Sequence, residues 1–143
     1  MAKTVDINKL VDSFNTLKVV VQGDDVWLTQ KQIAEVFQVN IRTINEHIQN
    51  IIQIEELSED LVIRKFRIIG DHREILHYTQ EMVYHIGYRI NGPVGIQFRT
   101  WCTQLIETYR TKGAVVNEQV LEANPELLTS AQSQLEKCTD LTR

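Results

Sequence analysis

Five polar side chains between positions 42 and 49 have types and spacing suited to chemistry: Arg42, Thr43, Asn45, Glu46 and Gln49. Arg, Thr, Asn and Gln near the start of a helix can read donors and acceptors on base edges in a DNA major groove. Glu46 can accept from a cytosine amino group, but it repels phosphate. A second set, Arg64, Lys65, Arg67 and Arg73, is basic and lies in a β-rich stretch, where it can track a phosphate backbone. Other chemistries find little footing. His47, His72, His77 and His85 show no metal-ligand spacing, and neither a Gly-rich phosphate loop nor a nucleophile motif is present. His77-Tyr78, at a strand end, reads as a structural pair bridging a hairpin to the next helix. Glu55, Glu56, Glu59 and Asp60 come without His or Cys and read as a solvated connector. Cys102 falls inside an apolar stripe and reads as a buried small hydrophobe. The expectation is no enzyme, no metal and no cofactor.

The first set of residues needs a helix pair to present it. In Thr29–Ile54, Ile33, Ala34 and Phe37 mark one side of a first helix; Ile44, Ile48, Ile51 and Ile52 mark one stripe of a second. Thr29 with Gln32 three residues later forms a capping box. Gln38-Val39-Asn40 gives the turn, with Gln38 where Gly is usual, so Gln38 must enter a conformation that Gly adopts more easily. The spacing predicts a helix-turn-helix. It fits a recognition helix, and it fits equally a hairpin that merely packs.

The flanking chain supplies hairpins and helices. Residues 1–15 read as a short amphipathic helix or an ordered arm. Leu17–Gln22 and Val26–Leu28, around Gly23-Asp24-Asp25, predict a β-hairpin with Trp27 as a core anchor. Val62–Ile69 and Arg73–Tyr78, around Gly70-Asp71-His72, predict a second hairpin, the basic wing. Thr79 is positioned to N-cap a helix through about Tyr88, with Met82, Val83, Ile86 and Gly87 inside. Asn91-Gly92-Pro93 breaks it. A further helix from Val94 carries a wide apolar face, Phe98, Trp101, Cys102, Leu105, Ile106 and Tyr109, and Gly113 closes it. Tyr88, Arg89, Asn91 and Arg99 gather at the turn between these helices, to contact phosphate or to hold the turn together. Beyond Asn117 the pattern weakens into an acidic tail interrupted at Asn124-Pro125. No internal repeat is evident.

With 143 residues, 43% of them hydrophobic, the chain suffices for one compact core or two small ones. No apolar run is long enough to span a membrane, no signal peptide opens the chain, and Cys102 and Cys138 have no metal spacing; a reduced, cytoplasmic protein is expected. The net charge of −4 is unevenly spread. Residues 1–60 hold 5 Lys/Arg against 10 Asp/Glu, residues 61–113 hold 8 against 4, and residues 114–143 hold 2 against 5. Positive charge therefore sits just downstream of the helix pair, where a phosphate footprint would lie.

The segments VWLTQKQIAEVFQV, TINEHIQNI, HY and IGYRINGPVGIQFRTWCTQLIETYRTKG, from about Val26 to Leu121, resemble the virulence protein RhuM-like family. Its bacterial members occur in mobile or pathogenicity regions, and the domain is also found ahead of Fic domains, whose motif this sequence lacks. The GYR…FRTW segment is similar, more weakly, to BRO-type and KilA-type phage DNA-binding domains. The resemblance implies a helix-turn-helix DNA-binding protein. This chain departs from the family at Gln38, in a shorter wing, and in lacking the long C-terminal region of typical members; a truncated member would keep DNA binding and lose an effector or oligomerisation function.

The expected fold is α+β, mainly α: a winged helix-turn-helix-like N-terminal part over residues 1–78, then a helical region over 79–143 packing on it. The expected function is sequence-specific DNA binding, as a transcriptional regulator of a mobile-element or virulence region. Arg42, Thr43, Asn45, Glu46 and Gln49 would read bases; Arg64, Lys65, Arg67 and Arg73 would contact phosphate. Partners are double-stranded DNA and a second copy of the chain, since one module buries limited surface, with no membrane. The alternative is an antitoxin-like adaptor that binds another protein and no DNA, favoured by the acidic ends.

Overall fold

The computed structural model describes residues 20–23, 25–67, 70 and 72–141. The segment expected over residues 1–15, the start of the Leu17–Gln22 run, and Asp24, Ile68, Ile69 and Asp71 lie outside the described residues, as does the side chain of Cys138.

Strand β1 (Val20–Gln22) turns through Gly23, at φ 62°, into β2 (Asp25–Thr29). Strand β3 (Ile63–Arg67) pairs antiparallel with β4 (Glu74–Thr79), with Arg67 opposite Glu74 and Ile63 opposite Tyr78. Both hairpins are legible from alternation and turn residues. Their union is not: β2 pairs antiparallel with β4, Leu28 opposite Tyr78, giving one four-stranded sheet of order β1-β2-β4-β3.

Each inner strand ends in Thr and runs into a helix that opens on Gln. Helix α1 (Gln30–Phe37) follows Thr29, and α4 (Gln80–Arg89) follows Thr79. The hairpin–helix unit thus occurs twice about the β2–β4 pair. Equivalent positions Leu28 and Tyr78, Ile33 and Val83, and Val36 and Ile86 are buried in both. No repeat shows in the sequence because the shared requirement is burial, which different apolar residues meet equally well.

Helix α2 (Ile41–Gln53) follows α1 after a short turn, and the single-turn α3 (Glu59–Val62) leads into β3, so Val62 ends a helix rather than opening the strand. Helix α5 (Pro93–Lys112) starts on Pro93, which lacks the N–H that a first helical residue would leave unpaired. One cluster unites Leu28 and Tyr78 of the sheet with Ile33 and Phe37 of α1, Ile44, Ile48 and Ile51 of α2, and Met82 and Ile86 of α4. Fully burying each Ile contributes about 1.5–3 kcal/mol. All four residues expected inside α4, Met82, Val83, Ile86 and Gly87, are buried.

Among the described residues, those up to Gln104 form one compact unit and those from Leu105 onward another. The boundary drawn from the sequence after Tyr78 falls inside the first, because α4 packs on β2, β4 and α2. The second unit holds the last turns of α5, then α6 (Glu118–Ala123) and α7 (Pro125–Leu141). Gly113, at φ 80°, closes α5, its N–H donating to the Tyr109 carbonyl at 2.9 Å. The apolar face of α5 has helical spacing but is mostly uncovered. Phe98 is buried and Trp101 and Cys102 are half-buried, whereas Ile106 and Tyr109 are 64% and 67% exposed.

Candidate functional site

The helix pair is fixed at each junction by local hydrogen bonds. Thr29 Oγ1 accepts from the Gln32 N–H at 3.1 Å, and Gln32 Oε1 accepts from the Thr29 N–H at 2.9 Å, completing the box. At the other end Gln38 takes the left-handed conformation (φ 56°, ψ 47°), as the sequence requires of it. The Val39 N–H then donates back to the Ala34 carbonyl at 3.1 Å. Asn40 is the N-cap of α2, its side-chain oxygen accepting from the Arg42 N–H at 2.8 Å. In the sequence Asn40 counts only as a turn residue, although an Asn just before a helical stripe is an N-cap signal.

Burying Ile44, Ile48 and Ile51 turns the opposite side of α2 outward. Arg42, Asn45, Glu46 and Gln49 fall at i, i+3, i+4 and i+7, one continuous exposed stripe. Thr43 lies off this stripe and is half-buried on the flank that carries His47. Four of the five base-reading candidates therefore come together and one stands apart. Arg42 Nε and Glu46 Oε1 are 3.5 Å apart with side chains 84% and 63% exposed, a pairing that steers geometry more than it stabilises.

The hairpin residues divide by strand alternation. Ile63 packs against the helical core, and Lys65 and Arg67 lie on the same face, further along β3 and exposed. Arg64 lies on the other face, its guanidinium 5.1 Å from the centre of the Trp27 ring in a cation–π contact. Trp27 is buried as expected, but on this second face, beside Phe66 at 5.5 Å, with His77 5.2 Å from Phe66. Arg73 is exposed at the start of β4. Lys65 and Arg67 thus share the helix-bearing side of the sheet, and Arg64 does not. Alternation within the strand already carried that distinction.

His77 and Tyr78 point to opposite faces, which removes any catalytic pairing. His77 Nδ1 bonds to the Ile75 carbonyl at 2.8 Å, and burial pushes the Tyr78 hydroxyl above its ordinary pKa, against the hydrogen bond from Gln30. Burial likewise raises the Cys102 thiol, which is half-buried rather than buried, so it is held away from the nucleophilic thiolate. The acidic connector contributes one structural group: Glu56 meets His85 Nδ1 at 3.0 Å and Arg89 at 3.6 Å, tying the end of α2 to α4. The hydrogen bond from His85, with help from Arg89, lowers the Glu56 carboxyl. Arg99 holds the turn between α4 and α5 together, donating to the carbonyls of Gly87 at 3.1 Å and Ile90 at 2.6 Å. Among the described residues no three His, Cys, Asp or Glu side chains converge to hold a metal ion, and no helix is long and apolar enough to cross a membrane.

One residue at the site escaped the sequence reading. The Gln30 Nε2 group, at the first turn of α1, donates to Asn45 Oδ1 at 3.1 Å and to Tyr78 Oη at 3.0 Å. Partners fifteen and forty-eight positions away leave no local signature.

A family model described as the virulence protein RhuM family matches residues 61–141, more than half of the chain. The matched stretch starts at α3 and runs through the basic hairpin and α4 to the end of α7, whereas the likeness read from the sequence began at Val26 and stopped at Leu121. Comparison with curated proteins and with solved structures returned no match.

Proposed function

This chain belongs to the virulence protein RhuM family, and we propose that it is a sequence-specific DNA-binding protein, a transcriptional regulator of a bacterial mobile-element or virulence region that works in the cytoplasm as a dimer. The matched stretch begins after the helix pair, so the reading rests on geometry. The observation that carries it is the exposed stripe of Arg42, Asn45, Glu46 and Gln49 on a helix locked by caps at its start and by three buried Ile behind. Polar side chains of these types on a rigid helix face match the edge chemistry of a major groove. Lys65 and Arg67, on the helix-bearing face of the neighbouring hairpin, are suited to the phosphates beside it. Arg64, engaged with Trp27, is the weakest of the phosphate candidates.

Fluorescence-anisotropy titration against a random duplex pool across salt, with sequencing of the bound fraction, tests this. The expected result is an enriched palindromic motif and a steep salt dependence. Arg42→Ala should relax the motif, while Arg67→Ala should weaken all sequences alike. Weak binding with no enriched sequence overturns the reading.

The exposed Ile106 and Tyr109 on α5, with the net charge of −4, favour a second reading as an adaptor that binds a protein. Recovery of a stoichiometric protein partner, with no nucleic-acid absorbance, would distinguish it.

A further inference from the structure

We infer that Gln30 is a positioning residue that fixes the amide of Asn45 for adenine, with the Tyr78 hydroxyl as its anchor; this rests on the DNA-binding reading above. An Asn side chain on an exposed helix face can turn its amide end for end and offer donor or acceptor alike. Here that freedom is restricted, because Asn45 cannot turn unless Gln30 turns with it. The Gln30 amide has two hydrogens, and both are spent: one on Tyr78 Oη at 3.0 Å, the other on Asn45 Oδ1 at 3.1 Å. Tyr78 is 2% exposed and sits in the middle of the sheet opposite Leu28, so its hydroxyl is a fixed point.

Asn45 turned alone would set its NH2 group against that of Gln30, two donors face to face; only if both amides turned together, with the Tyr78 hydroxyl donating to Gln30 Oε1, would the bonds be restored. In the structure the Asn45 oxygen points at Gln30 and its Nδ2 points away. What remains outward is the second lone pair of Oδ1 and the hydrogens of Nδ2, an acceptor beside a donor. The major-groove edge of adenine presents the complement, the N6 amino donor beside the N7 acceptor. Guanine presents two acceptors and matches only half of the pair.

The experiment is bind-and-sequence selection on a random duplex pool with the wild-type chain, Asn45→Ala, Gln30→Ala, Gln30→Glu and Tyr78→Phe. Only folded, bound molecules contribute sequences, so a loss of stability lowers yield without altering base frequencies at one position. Asn45→Ala should flatten a single adenine column of the wild-type motif, a loss of discrimination of about tenfold. Gln30→Ala and Gln30→Glu should flatten that same column and no other, and Tyr78→Phe should flatten it partly. Gln30→Glu is nearly isosteric but can only accept, so it turns the Asn45 amide end for end, with Nδ2 towards the new carboxylate, without a change in packing. If both Gln30 variants keep the column that Asn45→Ala abolishes, or if the column is not adenine, the inference falls while the DNA-binding reading stands. If Asn45→Ala alters no column of an otherwise clear motif, the inference again falls alone. A wild-type chain that enriches no motif removes the DNA-binding reading itself, and the inference with it.

Discussion

Helices α1 and α4 both follow a strand ending in Thr and both open on Gln, yet only α1 is capped at its start. Thr29 and Gln32 close a reciprocal box at the start of α1. At the start of α4, Thr79 has the N-cap backbone conformation but makes no side-chain cap bond, contrary to its expected role, and its buried Oγ1 finds no partner among the described residues. The third helical residue explains why no return bond closes a box at α4. In α1 it is Gln32, which can reach back; in α4 it is Met82, which is fully buried in the core. The position that would complete the box has been given to packing. Helix α4 is fastened instead at its far end, where Arg99 takes the Gly87 and Ile90 carbonyls and α5 packs closely, Phe98 against Gly87 and Gly95 against Ile90.

Substitutions can break or sharpen this contrast. The largest effect is expected from Gly95→Ala. A Cβ there would stand 2.3 Å from Ile90 Cγ2 and 2.5 Å from the Ile90 carbonyl oxygen, and backbone cannot step aside cheaply. Urea unfolding should show a loss of about 3 kcal/mol. Thr29→Val, which keeps the strand shape and removes the cap, should cost about 1 kcal/mol by the same measurement. Gln38→Gly should stabilise by about 0.5 kcal/mol, because Gly enters the left-handed turn without steric strain but loses more chain entropy. Thr79→Val should change stability by less than about 0.5 kcal/mol, and in the stabilising direction, since it removes a buried hydroxyl that caps nothing. Equal losses for the two Thr→Val variants would erase the comparison.

The smallest effect is a pH dependence. Burial, then the charge of Arg89, lower the His47 pKa below its ordinary 6.5, with Glu46 opposing. The unfolded chain therefore takes up a proton at this position more readily than the folded one. Stability from this group is complete above pH 6.5 and is lost as pH falls below that value towards the folded pKa. Denaturation midpoints at pH 7.5 and pH 5.5 should differ less in His47→Gln than in the wild type. A steeper slope in the variant would reverse the sign.

What was legible in the sequence was local. The capping box, the Ile stripe of α2, the left-handed Gln38 and both hairpins follow from residues within a turn or two of each other, where type and spacing fix geometry. The sheet was not legible, because nothing in β2 encodes β4 as its neighbour across fifty residues. The same holds for Gln30, whose partners lie on another helix and another strand. Gly87 was read as part of an inner face, but the need for it comes from the Phe98 ring, 2.4 Å from where its Cβ would be. The apolar spacing of α5 was right as helix and misleading as burial: periodicity reports which side of a helix is apolar, not whether anything covers it.

The central pairing of Leu28 with Tyr78 also governs how the chain reaches its fold. Each hairpin and the α1–α2 pair can form from neighbours in sequence, whereas joining β2 to β4 closes a loop of about fifty residues and comes late on loop-closure grounds. Trp27 lies on β2 directly opposite Thr79 and is 1% exposed, while Trp101 is only half-buried. Trp27 emission therefore serves as a built-in clock for that closing step, and refolding followed by fluorescence should lag refolding followed by helical circular dichroism.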